Sequence, residues 1–268
     1  MDSKKIIVAI IAIVAVIGVA MFTVGSLSAA DTNSTDGQEV NLAAAASLKN
    51  VFDKELIPMF EAKYPNIKVK PTYASSGDLQ TQIENGLSAD IFMSASNKQM
   101  NNLVNESLID NGTNLQFLEN KVVLIVPKDS NSNISSFEDL KNVKGTIAIG
   151  DPESVPAGQY AKEALSNLGI WDSVQSKLSY GTDVTAVLNQ VAEGSADCGI
   201  VYATDAQSND KVKVVCEAPE GSLKTPVIYP VAMVKDSKNP DAAKLFLEFL
   251  QSKEAKDVFV KYGFTLHE

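Results

Sequence analysis

Apolar positions along this chain follow two alternating rhythms. From Val40 onward, short apolar runs alternate with stretches whose apolar positions recur every three or four residues, as strands and helices do in an α/β fold. The runs predict strands at Val40–Ala44, Lys68–Tyr73, Asp90–Ser94, Lys121–Pro127, Thr146–Ile149, Cys198–Tyr202, Val212–Cys216 and Val227–Val234. Lys121–Pro127 reads K-V-V-L-I-V-P without a break, which predicts a strand covered on both faces. The helical rhythm places a first helix from Leu48 to about Lys63, with Val51, Phe52, Leu56, Met59 and Phe60 inward and Pro58 set to kink it. A second opens at Ser75-Ser76-Gly77-Asp78, carries Leu79, Ile83 and Leu87, and ends by Gly86. Further helices are expected at Lys98–Val104, Phe137–Asn142, just past Pro156 to Leu168, Trp171–Lys177, after Asp183 with Val184, Val187, Leu188 and Val191 inward, and finally at Asp241–Gln251 and Lys253–Tyr262.

The first 39 residues follow neither rhythm. Lys4 and Lys5 precede an apolar run from Ile6 to Val24, and small residues follow at Ser26–Ala30. Residues 1–30 read as an export signal cleaved after Ala30, or as an uncleaved anchor, since the run is almost long enough to span a bilayer. No cysteine lies near enough for lipid attachment. Residues 31–39 form a polar tether, so contact with a membrane is expected only through the N-terminal segment and the folded part faces outward, extracytoplasmic. Sequons at Asn33, Asn105, Asn111 and Asn133 permit glycosylation there.

Charge and composition remove several classes of function. The formal charge is −10, a surface that does not attract nucleic acid. All 23 basic residues are lysine, so no bidentate guanidinium clamp for a carboxylate or phosphate exists. The one histidine, His267, reads as a solvated tail residue, and a histidine triad or multi-histidine metal site is excluded. Cys198 and Cys216 sit in apolar strand contexts, where either free thiols or one disulfide would fit.

Candidate chemistry sits where strands turn into helices. The stretch Gly150–Leu168 reads G-D-P-E-S-V-P-A-G-Q-Y-A-K-E-A-L-S-N-L, a strand end, a tight turn and a helix starting at Pro156 and Ala157. Such a start leaves N–H groups free at the positive end of the helix dipole, which serves equally an ordinary connection or an anion cradle. Similar junctions occur at Ser47 and Ser76, read as N-caps of the first two helices, at Val184, and at Tyr202, which ends its strand. Ligands of open α/β sheets bind beyond the carboxyl ends of strands, and these five positions would supply neutral N–H and O–H donors there, with no obvious acceptor. Asp78, Asp151, Glu153 and Asp183 lie at the same junctions, but they read as caps and turn residues because no nucleophile–base pair accompanies them; the chain is not expected to be an enzyme.

The sequence resembles the molybdate-binding proteins of ABC importers. The resemblance runs from about Val40 to Phe264 and rests on Ala44–Leu48, Ala74-Ser75-Ser76, Ala89–Ala95, the long Gly150–Leu165 run, Gly199–Tyr202 and Tyr262-Gly263-Phe264. It implies a two-lobed periplasmic-binding-protein fold (type II) with mixed sheets flanked by helices and a cleft between the lobes. One lobe would comprise 40–120 plus 228–268 and the other 121–227, with a hinge near Glu119–Val122 and Thr225–Tyr229. It implies further that Ser47 and Ser76 (hydroxyl and N–H), the N–H groups of Ala157 and Val184, and the Tyr202 hydroxyl hold molybdate or tungstate through its oxygens, without direct metal ligands or a cofactor. The partners would be an ABC permease and its ATPase, and the protein a monomer.

Protonation explains why a donor-only site would suit such ions. Molybdate, tungstate and sulfate are fully deprotonated dianions near neutral pH, whereas phosphate usually keeps a proton that needs an acceptor. Leaving that proton unpaired costs roughly 1–3 kcal/mol. Protonation does not separate molybdate from sulfate, so a sulfate or other oxyanion carrier of the same fold is the alternative reading.

Overall fold

The computed structural model describes residues 38–267. The signal or anchor segment, most of the tether and the Asn33 sequon lie outside the described residues. Gln38 and Glu39, expected in the tether, already belong to the first strand, β1 (Gln38–Ala45), because both pair in register with Ile67 and Lys68.

Two sheets organise the described chain. The first is six-stranded, in the order β11-β4-β10-β3-β1-β2, with β2 at Ile67–Ala74, β3 at Ile91–Met93, β4 at Leu115–Asn120, β10 at Val227–Met233 and β11 at Thr265–Leu266. β1 runs parallel to β2 and β3, while β10 is antiparallel to β3 and β4. The second is five-stranded, in the order β7-β6-β8-β5-β9, with β5 at Val122–Pro127, β6 at Ile147–Gly150, β7 at Leu178–Gly181, β8 at Cys198–Tyr202 and β9 at Val212–Glu217. β6 is parallel to β7 and β8, and β5 is antiparallel to β8 and β9. The chain passes from the first sheet to the second between β4 and β5, and returns between β9 and β10. The result is a two-lobed α/β fold of mixed sheets.

The period-two pattern of strands decides how the sheets are covered. On β1, Val40, Leu42 and Ala44 join a cluster with Phe52, Phe60 and Phe246, while Ala43 faces a second cluster with Leu79, Ile83, Met100 and Leu103. Helices therefore cover both faces of the first sheet, Ser76–Glu84 on one and Pro240–Leu250 on the other. Edge-on aromatic contacts, such as Phe60 on Phe246 at 4.8 Å and Phe117 on Phe259 at 5.5 Å, tie the last two helices into this core. β5 is buried along Val122–Val126, as its unbroken apolar run predicts.

Several elements depart from expectation. The first helical stretch, 46–63, begins as a 3₁₀ turn at Ala46–Leu48 and contains a π turn at Phe52–Leu56. Pro58 cannot donate to the carbonyl four residues back, and the wider turn, closed by Ile57 N–H on Phe52 O, lies directly before it. β4, β7, β11 and the short helix Ala203–Gln207 were not expected from the pattern. β7 is an edge strand with exposed Tyr180, and β11 has two residues, so neither shows enough alternation to be read. β10 accommodates Pro230 through a register shift against β4 between Tyr229 and Pro230. His267 is not a solvated tail: its Nδ1 lies 2.6 Å from Glu119 Oε1, and its N–H donates to Phe117 O at 3.1 Å. Cys198 and Cys216 are free thiols on β8 and β9, which flank β5 on opposite sides. Two strand spacings, about 9.5 Å, exceed the reach of a disulfide. Burial pushes the Cys198 thiol up to about 12. Among the described residues, no helix is long and apolar enough to cross a membrane.

Candidate functional site

The carboxyl ends of the parallel strands from both sheets meet at one place. β1 ends in Ala45, β2 in Ala74, β3 runs on to Ala95, β6 leads to Pro156, β7 to Val184, and β8 ends in Tyr202. These residues line a single small cavity of about 10 Å³, together with Ala46, Ser47, Ser75, Ser76, Val155, Ala157 and Asp183. All five residues singled out in the sequence, Ser47, Ser76, Ala157, Val184 and Tyr202, are on that wall. Larger surface hollows exist, such as one of about 530 Å³ bounded by Ser132, Lys144 and Asp197, but no long helix begins there.

Each wall has its own local cause. The helix Ser76–Glu84 is capped not by Ser76 but by Ser75, whose Oγ accepts from Asp78 N–H at 3.1 Å. Ser76 occupies the first helical position, fully buried, with its Oγ accepting the Ala95 N–H at 3.0 Å. Ser47 likewise does not cap: it lies inside the 3₁₀ turn, and its hydroxyl meets the Tyr229 hydroxyl at 3.0 Å. The helix Pro156–Asn167 starts with proline, whose missing N–H costs nothing there, so Ala157 supplies the first free N–H. That start presses on the end of β6, and a Cβ at Gly158 would lie 2.0 Å from the Gly150 carbonyl oxygen, which explains the small residue beside Ala157. Asp183 caps the helix Val184–Ala192 by accepting from Ala186 N–H at 2.8 Å, leaving the Val184 N–H without an intrahelical partner.

Four helical starts therefore converge on one small volume, with their positive dipole ends toward it. Hydroxyls of Ser47, Ser76 and Tyr202 complete the donors, and no lysine is on the lining. The Tyr202 hydroxyl donates to Ala95 O at 3.4 Å, a long bond that a better acceptor can replace. The lining is not wholly free of acceptors, as the sequence suggested: Asp183 contributes a carboxylate, with Oδ1 engaged by the cap. Asp151 accepts from Glu153 N–H at 3.0 Å within its turn, and Asp78 lies in the first turn of its helix; turn and dipole roles account for both.

A polar chain connects the cavity to the strands that pass between the sheets. Asn120 Nδ2 donates to the Thr204 hydroxyl at 2.8 Å and to the Tyr229 hydroxyl at 3.2 Å, and Tyr229 meets Ser47. Burial holds the Tyr229 and Tyr202 hydroxyls well above the usual phenol range, so both stay protonated. Asp205 is buried beside them. Loss of water pushes its carboxyl up to about 7 against the Tyr202 N–H it accepts at 3.2 Å, and the Asp183 charge pushes it in the same direction as burial. Asp183 is the cap that the sequence suggests, though its place on the lining was not foreseen, and Ser75, Ala95, Asn120 and Tyr229 were not assigned to the site. Ser75 and Ala95 stand inside the blocks that carried the resemblance, whereas Asn120, at the end of β4, and Tyr229, inside β10, fall in the expected hinge segments without a local signal for their hydrogen bonds.

The architecture agrees with what similar proteins show. The family described as Bacterial extracellular solute-binding protein matches residues 40–265. The Bacillus subtilis protein YvgL, provisionally named an ABC transporter substrate-binding lipoprotein, is 42% identical over 236 residues, covering 87% of this chain and 90% of that one. The molybdate-binding protein ModA of Escherichia coli is 39% identical over 246 residues, covering 90% and 94% respectively. Among solved structures, the Azotobacter vinelandii periplasmic molybdate-binding protein matches with a TM-score of 0.76 at 21% identity, over 85% of this chain and 100% of that one, a likeness of fold. The chain belongs to the bacterial extracellular solute-binding proteins, in the family of molybdate-binding proteins of ABC importers.

Proposed function

We propose that this protein captures molybdate or tungstate outside the cytoplasm, as a monomer tethered or released at its N-terminus, and delivers it to an ABC permease and its ATPase. It binds without doing chemistry on the ion. Lobe 1 comprises 40–120 plus 228–268, lobe 2 comprises 121–227, and the ion sits between them on Ser47, Ser76, Ala157, Val184 and Tyr202. The single observation that supports this most is the convergence of four helical starts and three hydroxyls on one small cavity with no basic side chain on it. Dispersed dipoles in a dry site then meet the dianion's charge, and every ion oxygen can accept a hydrogen bond. Binding replaces the long Tyr202–Ala95 bond with one from the Tyr202 hydroxyl to the ion. Long-range repulsion from the acidic surface slows capture little in physiological salt, where screening acts within about 8 Å.

Two variants test the assigned residues by calorimetry. Ala157→Leu fills the cavity and is expected to abolish molybdate binding. Ser76→Ala removes one buried hydroxyl and is expected to weaken binding by about tenfold or more, a loss of roughly 1–3 kcal/mol. Wild-type affinity in both variants would sink the assigned site.

A further inference from the structure

Beside the cavity, elements of the two sheets touch along a short seam. The Gly77 N–H, in the Ser76–Glu84 helix, donates to the Ser154 carbonyl at 2.9 Å; Ser154 lies in the loop between β6 and the Pro156–Asn167 helix. Gln99 Nε2, in the helix Asn97–Asn105, donates to Gln159 Oε1 at 3.2 Å. Neither pair lines the cavity, so neither touches what binds there.

Gly77 stands out within this seam. A Cβ at that position would lie 2.3 Å from Ser154 O, 2.8 Å from its Cα and 2.9 Å from its carbonyl carbon. All three are backbone atoms, so no side-chain rotation relieves the overlap, and the nearest is more than an ångström inside ordinary contact of about 3.5 Å. The conformation of Gly77 does not demand glycine: its φ is not positive, and the residue lies in a helical turn where alanine is the better helix former. Glycine at 77 therefore serves the approach across the seam and nothing within its own helix. The amide pair nearby behaves differently. Gln99 Oε1 and Gln159 Nε2 are buried with no hydrogen-bond partner, which offsets part of what the one hydrogen bond between the two amides contributes to the seam.

We propose that the Gly77–Ser154 backbone contact is the stop that fixes how far the lobes close, which makes Gly77 a positioning residue for oxyanion affinity although it never touches the ion. The proposal rests on the function proposed above. A side chain at 77 holds the lobes apart, so the donors of the Pro156 and Val184 helices and those of the Ser76 helix no longer reach one ion together.

Gly77→Ala is the test, with Thr81→Ala, on the exposed side of the same helix, as its control. The measurements are molybdate affinity and dissociation rate, small-angle scattering with saturating molybdate, and the thermal midpoint without ligand. Gly77→Ala is expected to bind about tenfold or more weaker, chiefly through faster dissociation, and to stay more extended when liganded. Its unliganded midpoint should equal or exceed that of the wild type, and Thr81→Ala should match the wild type throughout. Gly77→Ala binding within about twofold of wild type, while wild type binds molybdate, would overturn the stop alone. A wild type that binds no oxyanion would overturn the functional reading and the stop with it.

Discussion

Asp205 illustrates how a residue next to the cavity couples folding to pH. Its carboxyl titrates near 7 in the folded protein because burial disfavours the charged form, well above the ordinary 3.8. Between those values the folded chain holds a proton that the unfolded chain has released, so stability falls as pH rises from about 4 through 7. The full loss is on the order of 4 kcal/mol at 1.36 kcal/mol per pH unit. Asp205→Asn keeps an acceptor for the Tyr202 N–H and removes the charge. Thermal melts should show the variant more stable than wild type at pH 8, with the two converging below pH 4; equal midpoints at pH 8 would contradict this. Residue identity of this kind was only partly legible beforehand. Ser47 and Ser76 were found because they stand at helix starts, but their roles were misread as caps. The true cap of the second helix is Ser75, one position earlier, and a one-residue shift of a helix start does not show in the apolar stripe. Asp205 gave no signal, since its burial follows from how its short helix packs on β5, β8, β9 and the Val184–Ala192 helix.

At the scale of elements, position along the chain matters less than what ends each strand. The strands β1, β2, β3, β6, β7 and β8 all deliver helices or turns to one edge, and the apolar rhythm located most of those strands without their partners. Short edge strands were not legible, because their pairing is set by β4 and β6 and not by their own pattern. Asp90, before β3, shows how such elements are fixed in place. Its Oδ2 accepts from Asn41 N–H at 2.7 Å, Asn41 Nδ2 at 2.9 Å and Asn239 Nδ2 at 3.2 Å, joining β1 to the start of the Pro240 helix. Its Oδ1 accepts from the Ser237 hydroxyl at 2.7 Å and from two backbone N–H groups. Burial pushes this carboxyl up, but these donors outweigh it and hold the group below the usual carboxylate range. The folded state therefore favours the ionised form, and that stability is present above about pH 4 and lost as pH falls further. Asp90→Ala strands several buried donors and should cost about 3 kcal/mol in urea denaturation at pH 7. The gap to wild type should narrow in acid; a variant as stable as wild type at pH 7 would contradict the role.

For the whole molecule, the two sheets bring their strand ends to opposite sides of one cavity, and neither supplies a complete donor set. Ser47 and Ser76 come with the first sheet, and Ala157, Val184 and Tyr202 with the second, so on the proposed reading only approach of the two makes a site. On the same proposed reading the absence of arginine, visible in the sequence, leaves the ion's charge to be met by helix ends and hydroxyls. Pocket size was not legible in the sequence, and it is size that must separate molybdate from sulfate. The most direct measurement is a calorimetric titration of the ligand-free protein with molybdate, tungstate, sulfate and phosphate in the same buffer. One saturable site per chain is expected for molybdate and tungstate, with sulfate and phosphate each weaker by about tenfold or more. Sulfate or phosphate binding as tightly as molybdate, or no binding of molybdate, would contradict it.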